Sequence, residues 1–174
     1  MLFRSGFLPY PQRSIREREY IYIINFEPDR WPMGDPKGLD DPSTPAPDFK
    51  ALSEGVGIAY RDMDASPTKA WIIHHRDEDD VEPLYQLAFG KRPRAELYNL
   101  RRDPHYMTNV ATNPEYADVR ARLEARLLAT LEAENDPRLT EEPCRYEYEP
   151  YAGPVDRAWF EGSALYETVR DAAE

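Results

Sequence analysis

The clearest pattern of hydrophobic and polar positions lies between residues 96 and 131. The segment ELYNL has the composition of a strand, and a polar turn follows it. Beyond the turn, Asn113 is a good helix cap and Pro114 suits the first helical position. The apolar positions that then recur with helical spacing are Tyr116, Val119, Leu123, Leu127 and Leu131. This pattern predicts a strand, a turn and a long amphipathic helix that stops at the NDP of residues 135–137.

A second apolar segment, RSIREREYIYIINF at residues 13–26, is rich in β-branched and aromatic residues. It predicts two short strands joined by a charged turn at residues 17–19. In the second strand Tyr20, Tyr22 and Ile24 alternate with Ile21 and Ile23, so both of its faces are apolar. We therefore expect this strand to be central in its sheet and covered on both sides.

Prolines dominate residues 27–49, which excludes a helix or an interior strand there. The apolar Trp31, Met33 and Phe49 indicate that this long loop lies against a surface, which this chain need not itself contain. Two short helices are predicted after it. One is capped by Ser66 with Pro67 at its first position, and the other ends at Gly90.

The predicted division of the chain is an irregular lead-in at residues 1–12, a folded unit at 13–137 and an irregular tail at 138–174. The tail is expected to wrap a surface because it carries several aromatic residues. These are Tyr146, Tyr148, Tyr151, Trp159 and Phe160.

Composition narrows the classes of partner. The chain has 174 residues, about one domain, with a formal charge of -11, which disfavours nucleic acid and anionic membranes. No apolar run approaches the ~20 residues that span a bilayer. The opening residues lack the apolar core and cleavage site of a signal peptide.

Candidate chemistry is sparse. Cys144 has neither a base nor a helix N-terminus near it in sequence, and as a single cysteine it cannot form an internal disulfide. His74 and His75 are adjacent and point in different directions on a helix, while His105 lies in a turn, so zinc-ligand spacing is missing. The acidic run at residues 77–80 lacks the glycine and terminal glutamate of a calcium-binding loop and is expected to face solvent.

The turn DPHYMTN has a structural explanation. Asp103 can accept hydrogen bonds from the backbone amides that follow it, Pro104 fixes the turn and Asn109 can close it.

At these residues the chain resembles the C-terminal region of sulfatases of the alkaline-phosphatase-like superfamily. The pattern there is E-L-Y-D-L, two variable residues and D-P-x-E-x-x-N-L-A before a long helix. Here ELYNL, Asp103-Pro104 and NVA at residues 109–111 match it, with Asn99 in place of an acid and Tyr106 in place of a glutamate. These two departures weaken the turn's usual bonding. The hairpin, FEPDRWPMGDP, the segment 67–100 and NDPRL are similar to the heparan N-sulfatase (sulfamidase-like) branch, so the resemblance covers residues 13–139.

The resemblance implies an α+β fold, with a small antiparallel sheet of about four strands and the long helix across one face. It implies a hydrolase of sulfate esters or N-sulfated sugars that is periplasmic, secreted or lysosomal. Its calcium and formylglycine nucleophile lie in an upstream catalytic domain, which is the expected partner. Cys144 is followed by Arg-Tyr-Glu and is not the C-x-P-S-R nucleophile, so no catalytic residue and no metal ligand transfers to this chain.

For the edge of the substrate cleft we expect Arg30, Trp31 and Asp35, because an arginine and an aromatic surface suit a sulfated sugar. Trp31 packing against the upstream domain is the simpler explanation for that residue. A free-standing module that binds glycans or proteins without catalysis is the alternative function.

Overall fold

The computed structural model describes residues 3–5 and 8–147, and it has the predicted α+β architecture. The strands are β1 (Phe3–Ser5), β2 (Leu8–Tyr10), β3 (Gln12–Arg16), β4 (Tyr20–Asn25) and β5 (Ala95–Asn99). The helices are α1 (Phe49–Glu54), α2 (Pro67–His74), α3 (Glu82–Phe89), α4 (Ala117–Ala133) and α5 (Pro137–Thr140). No helix in the described part of the chain is long and apolar enough to cross a membrane.

The main sheet is antiparallel with the order β3-β4-β5, so it has three strands rather than about four. Among the described residues, β1 and β2 pair with each other alone and form a separate ribbon within the region expected to be an irregular lead-in. Three-residue strands are too short to show an alternating pattern, which is why the sequence does not reveal them.

The register of the main sheet separates its two faces. Residues that lie opposite each other in an antiparallel pair share a face. Tyr22 lies opposite Ile15 and Leu97, whereas Ile23 lies opposite Ser14 and Glu96. The first face is therefore apolar, whereas the second face carries both apolar and polar side chains, among them Ile23 and Glu96.

Helix α4 covers the first face. Its buried Leu123, Leu127 and Leu131 pack with Tyr22 and Leu97 in one hydrophobic core. This confirms the predicted apolar stripe and the central position of β4. Tyr22 and Ile24 are fully buried on this face. On the second face Asn25 is fully buried and Ile21 and Ile23 are half-buried, so that face of β4 is covered in part.

Both ends of α4 follow from local chemistry. The Asn113 side-chain oxygen accepts a hydrogen bond from the Glu115 amide at 3.0 Å. Pro114–Tyr116 forms a 3-10 turn before the α-helix proper. At the other end Asn135 takes a left-handed backbone conformation with φ of 52°, which asparagine tolerates and which ends the helix.

A second hydrophobic core lies among α1, α2, α3 and the proline-rich loop. Its buried members include Leu39, Leu52, Tyr60, Ile73 and Phe89. The loop contains no helix or strand before α1, as predicted, and Trp31 lies edge-on to Tyr60 with ring centroids 6.4 Å apart. The surface against which the loop packs therefore belongs to this chain.

The short helices α2 and α3 confirm the predictions for their segments. The Ser66 hydroxyl accepts a hydrogen bond from the Lys69 amide at 3.1 Å, and α3 ends at Gly90. Of the predicted irregular tail, α5 and a 3-10 turn at Arg145–Glu147 are helical. Tyr148, Tyr151, Trp159 and Phe160 lie outside the described residues.

Candidate functional site

A cleft of about 540 Å³ opens on the second face of the main sheet, between the sheet and the second core. Strands β4 and β5, helix α3, the proline-rich loop and the turn after β5 all contribute to its walls. The lining residues are Tyr10, Gln12, Ile23, Pro32, Met33, Asp62, Leu87, Arg92, Glu96, Tyr98, Tyr106 and Met107. The volume lies within the range of about 300–1,000 Å³ that is typical of small-molecule sites.

The carboxylate of Glu96 is the most buried acid of this cleft, with 6% of the residue exposed. One carboxylate oxygen accepts a hydrogen bond from the Asn25 amide nitrogen at 2.7 Å, and the other accepts one from the Tyr98 hydroxyl at 2.5 Å. Within the part of the chain that the structure describes, Glu96 forms no ion pair. Its negative charge is thus held by two neutral donors alone.

Tyrosine hydroxyls surround this carboxylate. Tyr10 is buried, and its hydroxyl has no hydrogen-bond partner among residues 8–147. Burial and then the charge of Glu96 raise the pKa of Tyr10 to about 12, against a smaller opposing effect of Arg92. Burial, followed by the hydrogen bond to Glu96, also raises the pKa of Tyr98.

The described lining also carries one cation and a second acid. Arg92 donates from its guanidinium to the Leu87 carbonyl oxygen at 2.5 Å. Asp62 sits beneath the proline-rich loop, where its carboxylate oxygen lies 2.7 Å from the position that a Cβ on Gly34 would occupy. Gly34 also has φ of +85°, a conformation that favours glycine. The short distance to Asp62 and the positive φ therefore both require a residue without a side chain. Gly34 thereby lets the loop close against Asp62.

The three residues expected at a cleft edge do not come together at this cleft. Arg30 bonds Glu147 at 3.0 Å, and Asp35 bonds the Lys37 ammonium at 2.7 Å. Trp31 packs on Tyr60, with Lys91 5.0 Å above its ring. Their neighbours Pro32 and Met33 line the cleft instead.

The other candidates have structural surroundings. Cys144 is buried. His74 bonds the Pro47 carbonyl oxygen while His75 bonds that of Trp71, so the two rings point apart as expected. The acidic residues 77–80 are exposed, as predicted. Residues 8–147 contain no group of three or more His, Cys, Asp or Glu side chains arranged to hold a metal ion.

The turn after β5 forms the bonds predicted for it. Asp103 accepts a hydrogen bond from the Thr108 amide at 2.7 Å. The Asn109 side chain accepts from the Leu97 amide at 2.9 Å and donates to the Ala95 carbonyl oxygen at 3.2 Å, which ties the turn to the edge of β5. The turn thus holds Tyr106 and Met107 at the mouth of the cleft.

The buried phenols predict loss of stability at alkaline pH. Burial raises the pKa values of Tyr10 and Tyr22 to about 12. An unfolded chain loses these protons near pH ~10, so between about pH 10 and 12 the folded state binds more protons and its free energy of unfolding falls as pH rises. Urea midpoints measured across this interval should decline, and Tyr10→Phe should lessen the decline. Constant midpoints up to about pH 12 would contradict the assignment.

Sequence reasoning missed most of this cleft because its residues come from many separate segments of the chain. Only the alternation in β4 and β5 carried a signal, since it places Ile23, Glu96 and Tyr98 on one face. Comparison of the chain with known protein families and with curated proteins finds no match in either case.

Proposed function

We propose that this chain is the C-terminal subdomain of a sulfatase of the sulfamidase-like branch, which acts on sulfate esters or N-sulfated sugars. The observation that carries the proposal is that the segments that resemble this family form one structural unit. The hairpin β3–β4 lies far from the continuous stretch of β5, the turn and α4 in sequence, yet it packs with them in a single core. Segments that matched the family pattern only by chance would not be expected to pack together.

The two departures from the family pattern are accommodated locally. Asn99 replaces an acid, but its side-chain oxygen accepts hydrogen bonds from the Arg101 and Arg102 amides at 3.1 and 3.2 Å. Tyr106 takes the position of a glutamate with φ of 59°, and its ring lies edge-on to Tyr98 with centroids 5.9 Å apart. The register of the turn is therefore compatible with the family pattern despite both substitutions.

In this proposal the chain scaffolds the substrate cleft and the upstream catalytic domain supplies the chemistry. In this proposal calcium and formylglycine belong to that domain, as the family resemblance implies. The loop with Arg30, Trp31 and Asp35 would form a wall of the shared cleft. Arg30 pairs with Glu147 and Glu27, so a sulfate group bound there would compete with these carboxylates.

Partly exposed hydrophobic side chains are compatible with the proposal of a partner domain. The helical region α1–α3 exposes several large hydrophobic side chains: Phe49, Val56, Ile58, Trp71 and Leu84. Trp71 is 44% exposed and stacks on His75, with ring centroids 4.3 Å apart. In this proposal the upstream domain would cover these side chains.

The test is sulfatase activity with and without the catalytic domain. We expect the chain alone to release no product from an aryl sulfate in the presence of calcium. The reading frame upstream of this coding sequence should contain C-x-P-S-R, and the joined protein should hydrolyse the aryl sulfate in a calcium-dependent reaction. Calcium-dependent turnover by the chain alone would contradict the proposal, and so would an upstream frame without that motif.

A further inference from the structure

We infer that the cleft on the second face of the sheet binds a small organic cation, namely a protonated amine attached to an aromatic or apolar body. This inference goes beyond the proposed function and does not rest on it. It starts from the charge of Glu96, which is buried in the described structure without a cationic partner. Burying an ionised carboxylate is unfavourable unless it is paired and hydrogen-bonded, and a bound ammonium supplies the missing countercharge.

Unused hydrogen-bonding capacity lies at the same place. Each oxygen of the Glu96 carboxylate accepts one hydrogen bond, whereas an ionised carboxylate accepts about four in all. The Tyr10 hydroxyl, buried and without a partner in the described chain, also lines the cleft. An ammonium group has three donors, enough to reach Glu96 and the Tyr10 oxygen together.

The remaining walls suit the body of such a ligand. Two aromatic rings, Tyr98 and Tyr106, lie edge-to-face at the mouth, and the thioethers of Met33 and Met107 line the cleft beside Leu87. Aromatic faces attract cations, and methionine side chains adapt to ligands of irregular shape. A cleft of about 540 Å³ has room for a bicyclic aromatic amine.

The charge balance favours cations over anions. Among the described lining residues, Glu96 and Asp62 are the acids and Arg92, which donates to the Leu87 carbonyl oxygen, is the cation. Asp62 also interacts electrostatically with the Lys69 ammonium, so the excess negative charge of the cleft lies at Glu96. The phenols of Tyr10, Tyr98 and Tyr106 are the other titratable groups in the lining. With a net charge of -11, the chain also attracts cations and repels anions at long range.

Three ligands of similar shape and different charge test the inference on the full chain: tryptamine, tryptophol and indole-acetate. We expect tryptamine to bind saturably at millimolar concentrations or below, tryptophol about tenfold more weakly and indole-acetate most weakly. In NMR titrations the methyl signals of Met33 and Met107 should shift, and that of Met63, which packs on the second core, should not.

The matched variants are Glu96→Gln and, on an exposed position of α3, Glu82→Gln. Glu96→Gln should weaken tryptamine binding about tenfold and remove its advantage over tryptophol, whereas Glu82→Gln should change neither. If Glu96→Gln does not fold, Tyr10→Phe replaces it with an expected loss of about threefold. Equal affinity for tryptamine and tryptophol, no saturable binding of tryptamine, or unchanged selectivity in the folded variants would overturn the inference. None of these outcomes bears on the sulfatase proposal, whose test is turnover.

Discussion

Replacing Asp136 by alanine is expected to lower the free energy of unfolding by about 3–4 kcal/mol. Its carboxylate forms two bonds with Arg13: Oδ2 lies 2.6 Å from Nε, and Oδ1 lies 3.0 Å from Nη2. The two side chains are 11% and 12% exposed, so the alanine variant leaves the arginine charge almost buried and unpaired. The same carboxylate also caps α5 by accepting from the Arg138 amide at 2.8 Å.

The matched control is Glu141→Ala, which breaks the ion pair with Arg145 at the surface. The arginine side chain there is 62% exposed, so we expect little change in the free energy of unfolding. Adding Arg13→Met to Asp136→Ala should restore part of the lost stability, because no unpaired charge then remains. Urea unfolding followed by circular dichroism measures all four proteins. Similar losses in Asp136→Ala and Glu141→Ala would show that the Arg13 pair does not anchor the hairpin to the end of α4.

The elements that the sequence predicts well are those whose signals are local. Asn113 caps a turn within two residues, Ser66 caps α2 within three, and Gly90 ends α3 directly after its last residue. The alternation in β4 and the stripe on α4 are likewise complete within one element. Each pattern specifies its element before any tertiary contact forms, which is why these predictions match the structure.

The parts that the sequence does not reveal depend on distant contacts. Helix α1 has only six residues, too few for an apolar pattern of helical spacing to repeat, and its cap at Asp48 lies within a run of prolines and acids. Lys69 is buried because its ammonium donates to the carbonyl oxygens of Tyr60 and Met63 at 3.0 and 2.9 Å. No composition rule predicts such a lysine, since its partners are backbone atoms of another segment.

The proline-rich loop shows why an apolar loop cannot by itself indicate a missing partner. Trp31 and Met33 suggested a surface outside the chain, yet they pack against Tyr60 and its neighbours in the second core. That core was not visible in the sequence because it is assembled from short helices and a loop. The cleft was not visible in the sequence for the same reason, because segments of the sheet and of the second core come together to form it.

Replacing Leu123 by alanine is the second change with a large expected effect, a loss of about 2–5 kcal/mol in the free energy of unfolding. Leu123 is fully buried where α4 crosses the first face of the sheet, packed in the core that includes Tyr22 and Leu97. Removing its side chain leaves a cavity, and the surrounding close-packed structure relaxes only partly to fill it.

The control is Leu139→Ala, which removes a side chain that is 39% exposed. We expect it to lower the free energy of unfolding by about 0.5 kcal/mol or less. Urea unfolding measures the loss. An unchanged slope of the unfolding free energy against urea concentration (the m-value) would show that the loss is one of folded-state stability. Equal effects of the two substitutions would contradict a tightly packed core between α4 and the sheet. The sulfatase proposal would then lose its main support, because it rests on that core.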